Sequence, residues 1–307
     1  MDERAIAILG CGLIGESWAG LFAGHGYTVR CWDIDPLVAR RAVAGATAIA
    51  SDIVSTDRKA GKVTAADDLA EALTGASWAQ ENIVERVPEK QALYDQVFRL
   101  AASDLLIASP TSSLTWPELT SGVASPERIL TAHPFNPPHL MPLVEIYAAD
   151  KQAAERAERI FRSLDREPVF LNRPATGHIA NRLSSALWRE AVNIVAEGIA
   201  DVEAVDRALV NGPGLRWAVV GAHMAYHLGG GEGGIRHYLA HLGPSQERRW
   251  ADLGTPSLTP KVIETLVQGI EAETEGRPVQ ELASERDDAI RRILEALRHP
   301  KAGEPEA

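Results

Sequence analysis

The first thirty-three residues constrain this chain more than any other stretch. Residues 5–9 (Ala-Ile-Ala-Ile-Leu) form a short, wholly apolar run that ends at Gly10, the pattern of a strand buried on both faces. A helical pattern from Ile14 to Ala23 follows and is stopped by Gly24 and Gly26. Residues 28–33 (Thr-Val-Arg-Cys-Trp-Asp) then read as a second strand. Strand, turn, helix and strand within about 30 residues match a βαβ crossover, which requires a parallel sheet covered by helices.

The turn itself is Gly10-Cys11-Gly12-Leu13-Ile14-Gly15, a G-x-G-x-x-G pattern that follows a strand and opens a helix. In that context Gly10 makes the tight turn, Gly12 lets the backbone approach a pyrophosphate, and Gly15 permits close helix–strand packing. The helix N-terminus at Leu13 and Ile14 offers unpaired N–H groups to phosphate oxygens. Asp33 ends the second strand, 23 residues beyond Gly10. A carboxylate there accepts hydrogen bonds from ribose hydroxyls and repels a 2′-phosphate, so the expected cofactor is NAD rather than NADP. Arg30 does not alter this, because it lies within the strand. Cys11 reads better as a small residue in a tight turn than as a redox switch.

Further strand patterns lie at 78–82, 105–109, 129–132, 143–147 and 168–171, with helical patterns at 88–101 and 152–164. After Arg173-Pro174 the strand-like runs cease. Helical patterns then cover 179–200, 202–210, 215–227, 259–273 and 279–297, with Thr259-Pro260 as an N-cap followed by proline. The expected fold is α/β: a Rossmann-type doubly wound sheet over residues 1–174, followed by a smaller all-helical domain over 175–307. Residues from His299 onward read as a frayed end. The glycine-rich stretch from Gly229 to Gly234 suits either a mobile loop over a ligand or a helix–helix connection.

Composition excludes several classes of function. Lys and Arg number 31 against 42 Asp and Glu, a net charge of −11, so a nucleic-acid partner is not expected. No apolar run approaches the roughly 20 residues needed to cross a bilayer. The acidic start Met1-Asp2-Glu3-Arg4 is unlike a secretory leader. Cys11 and Cys31 make no disulfide framework. The expectation is a cytoplasmic protein with a small-molecule partner.

The segment Thr131-Ala132-His133-Pro134-Phe135-Asn136-Pro137-Pro138 follows a strand, and Glu145 lies 12 residues after His133. Oxidising an alcohol by hydride transfer needs a base for the hydroxyl proton, and histidine suits that role near neutral pH. A carboxylate on the other ring nitrogen would fix the tautomer and stabilise the imidazolium. From spacing alone, a core histidine and a solvated glutamate fit the same residues equally well.

Taken together, the fingerprint, Ser112 within Thr111-Ser112-Ser113-Leu114, the His-Pro-Phe-Asn-Pro-Pro segment, Glu145 and Asn181-Arg182-Leu183 resemble the 3-hydroxyacyl-CoA dehydrogenase superfamily. The resemblance runs from about residue 4 to about residue 250. It implies that His133 is the catalytic base, that Glu145 forms a dyad with it, and that Ser112 and Asn181 hydrogen-bond the reacting oxygen. It also implies that Glu85 and Lys90 lie near the nicotinamide ribose, and that the helical domain packs against a second copy in a homodimer. Two departures stand out. Pro110 replaces an asparagine, and Thr176-Gly177-His178 replaces Thr-Pro-Gly.

Two stretches narrow the resemblance. Residues 12–19 (Gly-Leu-Ile-Gly-Glu-Ser-Trp-Ala) resemble the branch containing L-carnitine dehydrogenases and lambda-crystallin (L-gulonate 3-dehydrogenase). Residues 212–218 (Gly-Pro-Gly-Leu-Arg-Trp-Ala), Tyr226-His227-Leu228 and residues 230–237 are most similar to the carnitine group. Acyl-CoA members carry a longer basic excursion after the second strand. Here the stretch from Asp35 to Leu73 is shorter and its basic residues are offset by acidic ones. The implied reaction is oxidation of L-carnitine to 3-dehydrocarnitine. L-gulonate, L-3-hydroxybutyrate and 3-hydroxybutyryl-CoA are the alternative substrates, and a non-catalytic crystallin-like or NAD-binding protein is the alternative of another class. A quaternary ammonium is held by aromatic faces. Trp217 and Tyr226 are the first candidates, with Glu232 adding charge and Arg216 pairing the carboxylate in a fork geometry. Helix packing is the competing use of each aromatic. His223-x-x-x-His227 and His237-x-x-x-His241 have metal-ligand spacing, but hydride transfer to NAD needs no metal and none is expected. A place near the cleft is the better use of His227.

Overall fold

The computed structural model describes residues 5–54 and 59–298. Both the acidic start and the end expected to fray lie outside the described residues. The chain divides into two compact units, Met1–Arg182 and Leu183–Ala307. The limit near 174 read from the sequence falls earlier in the chain than this division.

The first unit opens with β1 (Ala5–Leu9), α1 (Leu13–Gly24) and β2 (Thr28–Trp32). Next come α2 (Pro36–Ile53), β3 (Val63–Ala65), α3 (Leu69–Leu73), β4 (Trp78–Glu81), α4 (Val87–Leu100), β5 (Leu106–Ser109) and α5 (Trp116–Thr120). The unit ends with β6 (Ile129–Pro134), β7 (Leu143–Ala148), α6 (Lys151–Ser163), β8 (Glu167–Phe170) and the start of α7 (Ala180–Ala196). The strands form one sheet in the order β3-β2-β1-β4-β5-β6-β7-β8. All neighbours are parallel except β6 and β7, which are antiparallel. This is the expected doubly wound architecture.

The apolar run of β1 is explained by its two faces. Ile6 and Ile8 join a core with Trp18, Phe22 and Phe161. Ala7 and Leu9 join a second core with Tyr94, Val97 and Leu119. Side chains alternate along a strand, so a strand with helices on both faces needs apolar residues at every position. Helix α2 was not marked by the sequence. Asp35 caps it, its side chain accepting from the Leu37 N–H at 2.9 Å. Its buried positions are Ala39, Ala42, Ala46 and Ala50, a stripe of small residues that packs closely on α1.

The second unit is helical: the rest of α7, then α8 (Val202–Asn211), α9 (Pro213–Val219), α10 (Ala222–Gly229), α11 (Gly234–Asp252), α12 (Pro260–Thr274) and α13 (Val279–Arg298). The single helix expected over 215–227 is instead two, because Val220 is extended and Gly221 is the N-cap of α10. The glycine-rich stretch is a helix–helix connection, a single 3-10 turn at Gly231–Gly233 that leads directly into α11. Thr259 caps α12 as expected, accepting from the Val262 N–H, with Pro260 in the first turn. No helix among the described residues is long and apolar enough to cross a membrane.

Candidate active site

Strand order reverses between β1 and β4, and loops after the C-terminal ends of β1, β4 and β5 meet there, the place where α/β sheets bind ligands. A cavity of about 230 Å³ opens at this point, lined by Ile14, Asn82, Glu85, Ser112 and His133 among others.

On one side lies the glycine turn. Gly10 has φ +91°, and a Cβ there would stand 2.7 Å from the Asn82 carbonyl carbon. A Cβ on Gly15 would stand 2.0 Å from the Gly10 oxygen, whereas one on Gly12 would meet nothing within 4 Å. The turn is therefore tight beneath and open above Gly12, as a cradle for a diphosphate must be. No side chain caps α1, so the N–H groups of its first turn are left for a ligand. Asp33, just beyond β2, fixes the turn through Oδ2, which accepts from the Cys11 N–H at 2.7 Å. Arg30 is committed to the Thr74 carbonyl. The residues present fit a dinucleotide without a 2′-phosphate. The Cys11 thiol is buried and donates to the Trp32 carbonyl at 3.3 Å. Its hydrogen bond with Cys31, together with burial, holds its pKa far above the usual thiol range, so it is an inert thiol.

Glu85 stands on the opposite side. Burial alone would raise its pKa, but the Thr111 hydroxyl, the Lys90 ammonium and the Ser113 and Ser112 N–H groups together hold it below the usual carboxylate range. The Ser112 N–H donates to Oε1 at 3.0 Å, which ties the loop carrying Ser112 to Glu85. Lys90 is fully buried. Its ammonium donates to both oxygens of Glu81, at 2.7 and 2.9 Å, and lies 3.4 Å from Glu85. It reaches the site through Glu85. Glu81 also accepts from Tyr94 Oη at 2.9 Å, Ser109 Oγ at 2.7 Å and the Ile83 N–H at 2.8 Å. Sequence reasoning passed over Glu81. The available signal was its place at the end of a strand buried at every position.

The antiparallel register pairs His133 directly with Glu145, which puts their side chains on the same face within contact distance. Nδ1 lies 3.0 Å from Glu145 Oε2. The other oxygen, Oε1, accepts from the Ile179 and Ala180 N–H groups at 2.7 and 2.9 Å, at the N-terminus of α7, where a helix favours negative charge. Burial would raise the Glu145 pKa, but the His133 bond and the Ala180 and Ile179 N–H groups keep it below the usual range. An ionised carboxylate at Nδ1 places the ring proton there and leaves Nε2 as an acceptor. Asn181 Nδ2 lies 3.4 Å from Nε2. A second residue missed by the sequence reading, His178, packs on His133 with ring centroids 4.8 Å apart.

The substrate candidates lie in the helical unit. Arg216 and Trp217 are on α9, Tyr226 is on α10, and Glu232 is in the 3-10 turn. Tyr226 packs on Tyr238 at 5.1 Å between centroids, yet it remains 39% exposed and Trp217 40% exposed. His227 has a structural partner: its Nδ1 accepts from the Ile235 N–H at 3.1 Å and pins the start of α11. His237 and His241 stack on one another at 4.0 Å.

Comparison with known proteins identifies the family. The family model described as 3-hydroxyacyl-CoA dehydrogenase, NAD binding domain, matches residues 5–173. The corresponding C-terminal domain matches residues 177–268. An L-carnitine dehydrogenase of Nocardiopsis dassonvillei is 36% identical over 311 residues, covering 98% of this chain and 94% of the relative. One from Oceanobacillus iheyensis is 35% identical, covering 96% and 98%. Among solved structures, 5-formyl-3-hydroxy-2-methylpyridine 4-carboxylic acid 5-dehydrogenase, an NAD-dependent dismutase, superposes with a TM-score of 0.81 at 25% identity, covering 97% of this chain and 99% of that one. A 3-hydroxybutyryl-CoA dehydrogenase from Escherichia coli shares the fold at a TM-score of 0.59 and 24% identity, over 74% of this chain and 50% of that one. The chain belongs to the 3-hydroxyacyl-CoA dehydrogenase family and is an NAD-dependent 3-hydroxy acid dehydrogenase.

Proposed function

We propose that this enzyme oxidises L-carnitine to 3-dehydrocarnitine, with His133 as base and Glu145 as its partner. The observation that carries the chemistry is the 3.0 Å contact between Nδ1 and Glu145, which leaves Nε2, 3.4 Å from Asn181 Nδ2, as the nitrogen to accept a proton at the cavity. Bound NAD supplies a nicotinamide ring that accepts the hydride from C3. Nε2 of His133 takes the hydroxyl proton, and Glu145 stabilises the imidazolium that results. Ser112 and Asn181 donate hydrogen bonds to the substrate oxygen as it becomes a carbonyl. We assign the cofactor to the Gly10–Gly15 turn, including the N–H groups of Leu13 and Ile14, with Asp33 on the adenosine ribose and Glu85 near the nicotinamide ribose. Lys90 acts there indirectly, by holding Glu85.

The choice of substrate is supported by full-length identity of about 35% to proteins named L-carnitine dehydrogenase. Trp217 and Tyr226 are partly exposed aromatic residues, the residue type that holds a trimethylammonium group, which cannot donate a hydrogen bond and is held by cation–π attraction. Arg216 is assigned to the carboxylate and Glu232 to the ammonium charge. The test is NADH formation at alkaline pH with L-carnitine, D-carnitine, L-3-hydroxybutyrate, L-gulonate and 3-hydroxybutyryl-CoA in parallel. Turnover confined to L-carnitine supports the assignment, and turnover with another alcohol replaces it. At about 0.5–2 kcal/mol per cation–π contact, Trp217→Leu and Tyr226→Leu should each lower kcat/KM for L-carnitine by roughly 2- to 30-fold. A substrate without the ammonium should scarcely notice either change, and equal losses on both substrates would sink the aromatic assignment.

We also propose that the enzyme is a homodimer. In α12 no residue is buried, although Ile263, Val267 and Ile270 are apolar. Leu183, Leu187 and Trp188 of α7 are likewise exposed. Helices in soluble proteins keep such apolar stripes covered, and a second copy of this chain is the occupant that the family resemblance implies. Sedimentation equilibrium should give twice the mass of one chain, and a monomer at micromolar concentration refutes the dimer. The free thiols Cys11 and Cys31 suit the reducing cytoplasm, where we place the enzyme.

A further inference from the structure

His178 is buried at 4% exposure, yet it serves none of the roles assigned so far. It follows Gly177 and, like it, has a positive φ, here +49°. Side-chain-bearing residues rarely adopt this backbone region. The conformation goes with a ring that makes three separate connections. Its edge packs on the His133 ring at 4.8 Å and 74°. Its Nε2 lies 3.0 Å from the carbonyl of Thr111, the residue before Ser112. Its Nδ1 lies 3.2 Å from the Ala175 carbonyl. The two residues that follow, Ile179 and Ala180, give their N–H groups to Glu145.

We propose that His178 is a positioning residue that ties the loop carrying Ser112 to the His133–Glu145 pair through an Nε2–H bond to the Thr111 carbonyl. The inference rests on the reading of His133 as base and Ser112 as a donor to the reacting oxygen. Ser112 stands on the loop after β5 and His133 on strand β6, and hydride transfer tolerates little drift between them. Glu85 restrains the Ser112 loop from one side through its N–H groups. His178 restrains it from the other, and its ring also limits how far the imidazole of His133 can rotate. Burial and the neighbouring His133 keep the His178 pKa below the usual histidine value, against the opposing pull of the Ala175 and Thr111 carbonyls and Glu145. A neutral ring carries one N–H, and the tether assigns it to the shorter contact, at 3.0 Å to the Thr111 carbonyl. Neutrality also matters for the reaction, because a cation at 4.8 Å would oppose formation of the His133 imidazolium.

Packing alone would also explain a buried histidine, so the test separates the ring from its N–H. His178→Phe keeps an aromatic edge on His133 and removes the donor. His178→Gln removes the ring but places an amide N–H near the former Nε2. The tether predicts that His178→Phe lowers kcat by about 10- to 100-fold with NAD affinity unchanged, and that His178→Gln recovers most of that loss. A His178→Phe enzyme within about twofold of the parent, or equal losses in the two variants, overturns the proposal. A third measurement needs no variant that folds. Nitrogen-15 NMR of the histidine-labelled parent protein should show His178 as the neutral Nε2–H form with a slowly exchanging proton. An unprotonated Nε2 overturns the tether. This arm is independent of turnover, so a parent enzyme inactive on every alcohol tested would refute the functional reading and leave the His178 result standing.

Discussion

Replacing His133 by Ala removes turnover while NAD still binds. The expected loss in kcat is about 1,000-fold or more, toward the upper end of what one general base contributes. Two features of the structure account for this separation. Asp33 bonds the glycine turn through the Cys11 N–H, and the imidazole bonds Glu145, so a fluorescence titration with NADH should give the affinity of the parent. Glu145 also keeps its Oε1 bonds to Ile179 and Ala180 when the imidazole is gone. The variant should therefore fold, and its inactivity will be chemical rather than structural. Retained turnover would refute the assignment of the base.

The second large effect is on stability. Glu81→Ala should lower the unfolding free energy by about 3–5 kcal/mol, because it takes from the fully buried Lys90 ammonium the carboxylate at 2.7 Å and leaves it the partly exposed Glu85 at 3.4 Å. The Ser109 and Tyr94 hydroxyls lose their acceptor in the same step. Burial, with the charge of Glu81 beside it, holds the Tyr94 pKa well above the usual range, so in the parent Tyr94 is a neutral donor to Glu81. The double change Glu81→Leu with Lys90→Met removes both charges and should recover much of the loss, since a buried ion pair often contributes little more than an apolar pair of similar volume. Calorimetry of the two variants measures the loss and its recovery. A single variant within about 1 kcal/mol of the parent contradicts the account.

The strands were legible where apolar residues cluster, including the partly buried β2, β7 and β8, and the glycine fingerprint was legible because its spacing and its flanking elements agree. Elements with little apolar content were not. The three residues of β3 are all half-buried, and α2 packs through alanines that give almost no hydrophobic period. The break at Val220-Gly221 was missed because the apolar pattern runs straight through it. Helix α11 was visible only at its one histidine pair, His237 and His241, since it carries Pro244 inside it.

At the site, the sequence suggested His133 and Glu145 but left their pairing open. Antiparallel register decides it, and register is a property of two strands together. The N–H groups that hold Glu145 belong to Ile179 and Ala180, whose side chains carry no sign of the role. His178 and Glu81 were passed over because a buried polar residue looks like any other until its partners are known.

The hairpin made by β6 and β7 has a consequence for assembly. His133 and Glu145 are only 12 residues apart in the chain, whereas His178 meets Thr111 across 67 and Asn82 meets Gly10 across 72. Loop-closure entropy rises with the logarithm of chain length, by about 0.6 kcal/mol for each doubling. The dyad is therefore a local structure that forms as soon as two adjacent strands pair, and the distant parts of the site close around it. The His133–Glu145 contact, on which the proposed chemistry most depends, is the part of the site least exposed to errors elsewhere in the sheet.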